Sequence, residues 1–224
     1  MRPLTFTILF FTLFAPACAV WNPDYVQDPD EALREILADA KEIESDDAVT
    51  TQRMQFAVEA LATRHPNHVA SQVAAATLAM DQGQHQRAQG YTDRALDLAP
   101  NNVAARCLKV RIAVRDGSLD LARKIVDDGL RMRPDAAALY ESAAWIHQLD
   151  GRHDDALRAL DAAAALEAPA WRICFHRGLV EEMRGHLDVA EKHYRAAWKA
   201  NPSSREARQR LAGLRARRQL TPDR

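Results

Sequence analysis

The fold class this sequence predicts is an all-α solenoid of stacked helix–turn–helix units closed by a C-terminal capping helix. Three residue series predict it. Gly83, Gly117, Gly151 and Gly185 recur every 34 residues. Ala88, Ala122, Ala156 and Ala190 keep the same step. Pro66, Pro100, Pro134 and Pro202 close the units, and Ala168-Pro169 fills the remaining slot. A fixed period with this punctuation marks an array whose units bury a core only by stacking on their neighbours.

The first element is a targeting segment, residues 1–19. Arg2 precedes an apolar run from Leu4 to Ala15, too short to span a bilayer, which takes about 20 residues. Ala15, Ala17, Cys18 and Ala19 follow, so the segment reads as a secretory signal peptide. Two processing routes stay open. Ala17-Cys18-Ala19 is an A-x-A-like cleavage site that would leave Val20 first, whereas Ala15-Pro16-Ala17-Cys18 is similar to a bacterial lipobox and would leave a lipid-bearing Cys18. Residues 20–28 form an irregular mature N-terminus.

Residues 29–66 read as a degenerate first repeat without its glycine. Asp28 caps the first helix, Pro29 occupies its first turn, and Glu31 lies three residues after the cap. Leu33, Ile36, Leu37, Ala40 and Ile43 form one apolar stripe, and Met54, Val58 and Leu61 form a second.

Four units follow over 69–202, with the periods 69–102, 103–136, 137–170 and 171–204. In the first of them Val69 to Gln82 and Gln86 to Leu98 read as helices around Gly83. Glycine accepts the positive φ of a helix end, and proline stops the second helix. The alanine five residues after each glycine marks a close helix approach. A second small position holds Ala76, Val110, Ala144 and Gly178. Larger groups on the second helix are expected to fill the space at Thr92, Val126, Leu160 and Tyr194, and at Leu96, Leu130, Ala164 and Trp198. A capping helix over 203–218, started by Ser203, carries Leu211 and Leu214 inward and arginines outward, and 219–224 is a frayed tail.

The glycine, alanine and proline series, with Ala95, Gly129, Ala163 and Ala197 at another small position, resembles the tetratricopeptide repeat family over Val69 to Pro202. The resemblance implies a right-handed α-solenoid whose first helices line a concave, partner-binding face. Lys109, Arg177 and Glu181 depart from the family pattern by replacing apolar residues, and the spacing of Arg177 and Glu181 suggests an i,i+4 pair.

Composition narrows the function. Aromatics are 6% and the net charge is −1, which gives no basis for a nucleic-acid partner. Charge is uneven, with ten acids and two bases from Asp24 to Asp47, and seven arginines and two acids from Asn201 to Arg224. The sequence lacks a phosphate loop, a G-x-S-x-G elbow and an H-E-x-x-H motif. His85, His153 and His186 read as solvent-facing turn residues, and no metal or cofactor is expected. Cys107 and Cys174 fall on first helices two units apart, too distant for a disulfide, and are expected to be buried free thiols. The chain therefore reads as non-enzymatic.

The resemblance places Met80, Arg111, Arg115, Glu141, Trp145, Gln148, Phe175 and Glu182 on the concave face as candidate partner-binding residues. Trp145 and Phe175 have a second reading, as packing between units. Val73, Thr77 and Cys107 stand where some relatives carry a carboxylate clamp, so capture of a terminal carboxylate there is not expected. The overall expectation is a periplasmic scaffold that holds a protein segment and helps assemble an envelope complex such as a pilus, secretion or cell-wall machine, with membrane anchoring through Cys18 as a branch. The alternative is an accessory that touches an anionic envelope surface through Arg208, Arg215, Arg217 and Arg218. Oligomeric state and partner identity are not legible.

Overall fold

The computed structural model describes residues 28–42 and 48–220. The segment expected to be a signal peptide, Cys18, the expected irregular N-terminus up to residue 27, and residues 221–224 of the expected frayed tail lie outside them, while residues 219 and 220 of that tail continue the last helix. The described residues form eleven helices and no strand: α1 (Pro29–Glu42), α2 (Ala48–Arg64), α3 (Val69–Asp81), α4 (His85–Leu98), α5 (Val103–Arg115), α6 (Leu119–Met132), α7 (Ala137–Leu149), α8 (His153–Ala165), α9 (Ala170–Met183), α10 (Leu187–Ala200) and α11 (Arg205–Leu220). Each helix packs on the next in sequence, and α1, α3, α5, α7 and α9 also pack on one another in succession.

The four periodic glycines share one turn. Their φ values run from 72° to 81°, a region that side-chain-bearing residues rarely adopt. At the first, Gln84 N–H reaches the Ala79 carbonyl at 2.8 Å and Gly83 N–H reaches Met80 at 3.1 Å, which is a Schellman closure of α3. The same pair of bonds recurs at Gly117, Gly151 and Gly185. The displaced proline has a matching effect. Where Pro100 and Pro134 follow Ala99 and Arg133 with φ of −140° and −138°, α8 ends on Glu167 at φ 61°, closed by Ala168 N–H on the Ala163 carbonyl at 3.1 Å.

The alanine series is the close contact between paired helices. Ala88, Ala122, Ala156 and Ala190 are all fully buried. Across from them, volume is traded between facing positions. Ala144 packs with Leu160, Val110 with Val126, and Gly178 with Tyr194. The Thr92 hydroxyl, at the same place in α4, is satisfied by donating to the Ala88 carbonyl at 2.7 Å. The neighbouring series lies further out. Leu96 and Leu130 are half-buried, while Ala164 and Trp198 are exposed.

Both ends are closed by the same logic. Ala32 and Leu33 of α1 join Val58, Leu61 and Ala62 of α2 in one apolar cluster with Ala75. Asp28 caps α1 by accepting from Asp30 N–H at 3.0 Å. Leu211 and Leu214 of α11 cover Ala190 and Tyr194. The cap of α11 is Ser204, one residue later than the sequence suggests. Its Oγ accepts from Ala207 N–H at 3.3 Å, while Asn201 accepts from Ser203 N–H at 3.2 Å, making Ser203 part of the turn.

The charged departures from the apolar pattern have a structural solution. Lys109 bonds Asp93, and Arg177 bonds Asp161 at 2.5 Å; these two pairs stand at equivalent places two units apart. Arg177 therefore does not pair with Glu181 as spacing suggested. Glu181 is buried and engaged by Arg184 at 3.4 Å and His186 Nδ1 at 2.7 Å. A charge on an inter-helix position is tolerated here because an opposite charge crosses from the adjacent second helix.

Candidate protein-binding groove

Successive first helices touch, whereas no comparable contacts join α2, α4, α6, α8 and α10 to one another. The stack therefore curves with the first helices on its inner side. The 34-residue repeat of the glycine-closed turns places equivalent positions of the first helices in register, one per unit.

The first row runs through Thr77, Arg111, Trp145 and Leu179, and a second through Asp81, Arg115, Leu149 and Met183. In the first two of these four units the rows are charged. Arg111 is exposed and bonds Asp81 across the unit boundary at 3.2 Å, and Arg115 is exposed with no ion-pair partner among the described residues. In the last two they are apolar. Trp145 is half-buried against the cluster of Val110, Val126 and Ile146, while Leu149 and Met183 are 43% and 53% exposed. Gln148 is buried and donates its amide to the Met183 sulfur at 3.0 Å, which fixes both.

Phe175 is half-buried. Its ring lies 5.8 Å from Tyr194 and 5.7 Å from His176, the latter edge-on. Trp145 thus packs between units, whereas Phe175 packs within its own unit on Tyr194 and against the capping-helix cluster, and each keeps part of its surface exposed. Met80 is 4% exposed and belongs to the core with Ala79, Ala88 and Ile112, so it offers a partner little surface.

Glu141 has turned inward. It is 5% exposed and accepts from Arg172 at 2.8 Å, with His176 Nε2 at 3.7 Å. Burial raises its pKa against the opposing pull of Arg172. The His176 imidazole is pushed down to about 4, first by burial and then by the Arg172 cation, so it is neutral near pH 7. Beside them the Cys107 thiol is raised by burial and accepts from the Ser142 hydroxyl at 3.5 Å. Cys107 and Cys174 are both free and half-buried.

Glu182 is also engaged within the chain. It accepts from the Tyr194 hydroxyl at 2.6 Å and faces Arg210 and Arg217 of α11, each at 3.5 Å. Two of the C-terminal arginines thereby hold the capping helix onto the last unit. The signal for this was the coincidence of Glu182 with a basic face one period on, at Arg210 and Arg217; Arg172 likewise follows Glu141 by nearly one period.

The described residues contain no group of three or more metal-ligating side chains and no helix long and apolar enough to cross a membrane. His85 and His153 open α4 and α8 and are half-buried, so they are less solvent-facing than their spacing implied; His186 is exposed.

Two family models, both described as tetratricopeptide repeat, match residues 79–146 and 142–205, together more than half of the chain. No curated protein matches it. Among solved structures, a thermophilic TPR protein from Thermus thermophilus is 18% identical with a TM-score of 0.72, and the alignment covers 84% of this chain and 100% of that one. Human IFIT1, solved as a dimer with PPP-AAAA, is 17% identical at a TM-score of 0.68, covering 85% of this chain and 46% of the other. Yeast Tom70 is 16% identical at 0.60, covering 85% and 40%. The chain thus spans less than half the length of the latter two. At these identities the likeness is one of fold.

Proposed function

Since this chain belongs to the tetratricopeptide repeat family, whose members are generally non-enzymatic protein-interaction scaffolds, we propose that it holds a protein segment along its inner face in the bacterial envelope. The observation that carries this reading is the division of the inner rows. Arg111 and Arg115 supply positive charge in one half, and Trp145, Leu149, Leu179 and Met183 supply apolar surface in the other. A segment with acidic residues at one end and apolar residues at the other meets both halves at once. Arg111, Arg115, Trp145 and Phe175 are the residues assigned to that contact, while Met80, Glu141, Gln148 and Glu182 support it from beneath through packing and hydrogen bonds.

The envelope location rests on the apolar run from Leu4 to Ala15 and the small residues after it, with Cys18 as the anchoring site in the lipoprotein branch. Assembly of a pilus, secretion or cell-wall complex is the role that fits a scaffold exported in this way.

Photo-crosslinking in envelope preparations tests the groove. A crosslinker at Thr77, at Arg115 or at Met183 is expected to trap one and the same polypeptide, and a crosslinker at Lys124 on α6 is expected to trap none. Loss of that adduct in Arg111→Glu/Arg115→Glu supports the reading. Equal adducts from Lys124 and the inner positions would overturn it.

A further inference from the structure

Gly90 lies in the middle of α4, away from either cap. Its φ is outside the left-handed region, and a Cβ built on it would meet nothing within 4 Å. Neither packing nor backbone geometry requires a glycine, and one in a helix interior costs about 1 kcal/mol relative to alanine. The next three units carry Lys124, Arg158 and Lys192 at this place.

Gly90 lies in the wall of a shallow cleft of about 410 Å³ between α2 and α4, lined by Ala62, Thr63, Pro66, Gly90, Tyr91 and Arg94, with Gln72 and Arg87 also in its wall. Most of its polar wall is spent internally. The Thr63 hydroxyl donates to the Glu59 carbonyl at 2.8 Å, and the Gln72 amide donates to the Ala62 and Pro66 carbonyls at 2.9 and 3.3 Å. Arg87 is held by Glu59 at 2.6 Å and by Gln84 at 2.8 Å. Arg94 differs. It uses only Nε, on the Pro66 carbonyl at 3.0 Å, and its two terminal nitrogens bond nothing among the described residues.

We propose that this cleft is a second recognition site, on the side of the solenoid away from the inner groove, for a peptide segment in which an apolar or aromatic residue adjoins a carboxylate. The bare Gly90 backbone, Ala62, Pro66 and the Tyr91 ring form the floor for the apolar group. The free end of the Arg94 guanidinium supplies the donors for the carboxylate, for which its planar fork is suited. The cleft is open along one side, which fits a residue continuing into a chain better than a small molecule buried whole.

The test uses the full chain labelled for amide NMR and a blocked dipeptide, N-acetyl-Phe-Glu-methylamide, with its Phe-Gln counterpart as the uncharged control. The Glu peptide at millimolar concentration is expected to shift the amide signals of Thr63, Gly90 and Tyr91, with the Gln peptide at least fivefold weaker. Gly90→Lys, which installs the residue type of the other units, and Arg94→Gln are each expected to abolish the shifts while the rest of the spectrum stays folded. Gly90→Ala, whose Cβ enters open space, is expected to retain them. Absence of shifts at these three residues, equal binding of the two peptides, or undiminished binding by Gly90→Lys would overturn the proposal.

Discussion

Gly178 and Tyr194 occupy one volume. A Cβ on Gly178 would lie 2.6 Å from Tyr194 Cε1 and 2.7 Å from Cδ1, so the ring rests on the α9 backbone itself. Tyr194 is fully buried, and its hydroxyl reaches Glu182 at 2.6 Å, which links the α10 core to the inner face and to α11. Burial, together with that hydrogen bond, raises the phenol's pKa. Gly178→Ala is therefore expected to destabilise the protein by roughly 1–3 kcal/mol through overpacking. Adding Tyr194→Leu, which recreates the Ala144–Leu160 pairing of the preceding unit, should recover part of that loss. Urea melts of both single variants and the double variant give the coupling; additivity would show that the two residues do not share the space.

The small and large series were legible because the 34-residue period lays equivalent positions side by side. By that register alone Gly178 matches Ala144 and Tyr194 matches Leu160. The glycine turns were legible for the same reason. Pairings that cross between units were not. Whether Arg177 bonds Glu181 or Asp161 depends on which side chain the neighbouring helix presents, and helical spacing sees only its own helix. Glu141 reads as a surface carboxylate until Arg172 and His176 of the next unit close over it. The cap at Ser204 escaped because Ser203 and Ser204 are chemically alike, and only the turn set by Pro202 distinguishes them.

Glu167 is the one described non-glycine residue at positive φ, 61°, and it takes the role that glycine has at other helix ends. A side chain in this conformation costs about 1 kcal/mol or more. Glu167→Gly is expected to raise stability by roughly 0.5–1 kcal/mol, seen as a higher melting midpoint. Arg133→Gly, one unit earlier at φ −138°, should lower stability or leave it unchanged. Equal effects at the two sites would contradict the assigned turn.

The Arg172–Glu141–His176 cluster predicts a pH dependence. His176 is pushed down to about 4 in the folded chain, from its ordinary value of 6.5. Between these values the unfolded state binds more protons, so this group's contribution is full above the unfolded value and is lost as pH falls through the window. The loss at pH 4.5 is about 2 kcal/mol relative to pH 7. Glu141, whose pKa is raised in the fold, acts in the opposite sense, with stability falling as pH rises from its ordinary value to its folded one. Denaturant melts at pH 7 and 4.5 should show a smaller acid loss in His176→Gln than in wild type. An identical loss in both would remove His176 from the account.

The central claim is that the inner rows hold the partner and the C-terminal arginines do not. The most direct measurement is the Kd of the crosslinked polypeptide for wild type, for Arg111→Ala/Trp145→Ala, and for Arg205→Ala/Arg208→Ala, with melting midpoints recorded for all three. Trp145 packs on Val110, Val126 and Ile146, so the melt separates lost stability from lost contact. Truncating groove anchors should cost about 2 kcal/mol or more, roughly thirtyfold in Kd, in a protein still folded at the assay temperature. The α11 variant should bind like wild type. Unchanged Kd in the groove variant, with affinity lost in the α11 variant, would contradict the account and move the binding site to the basic helix.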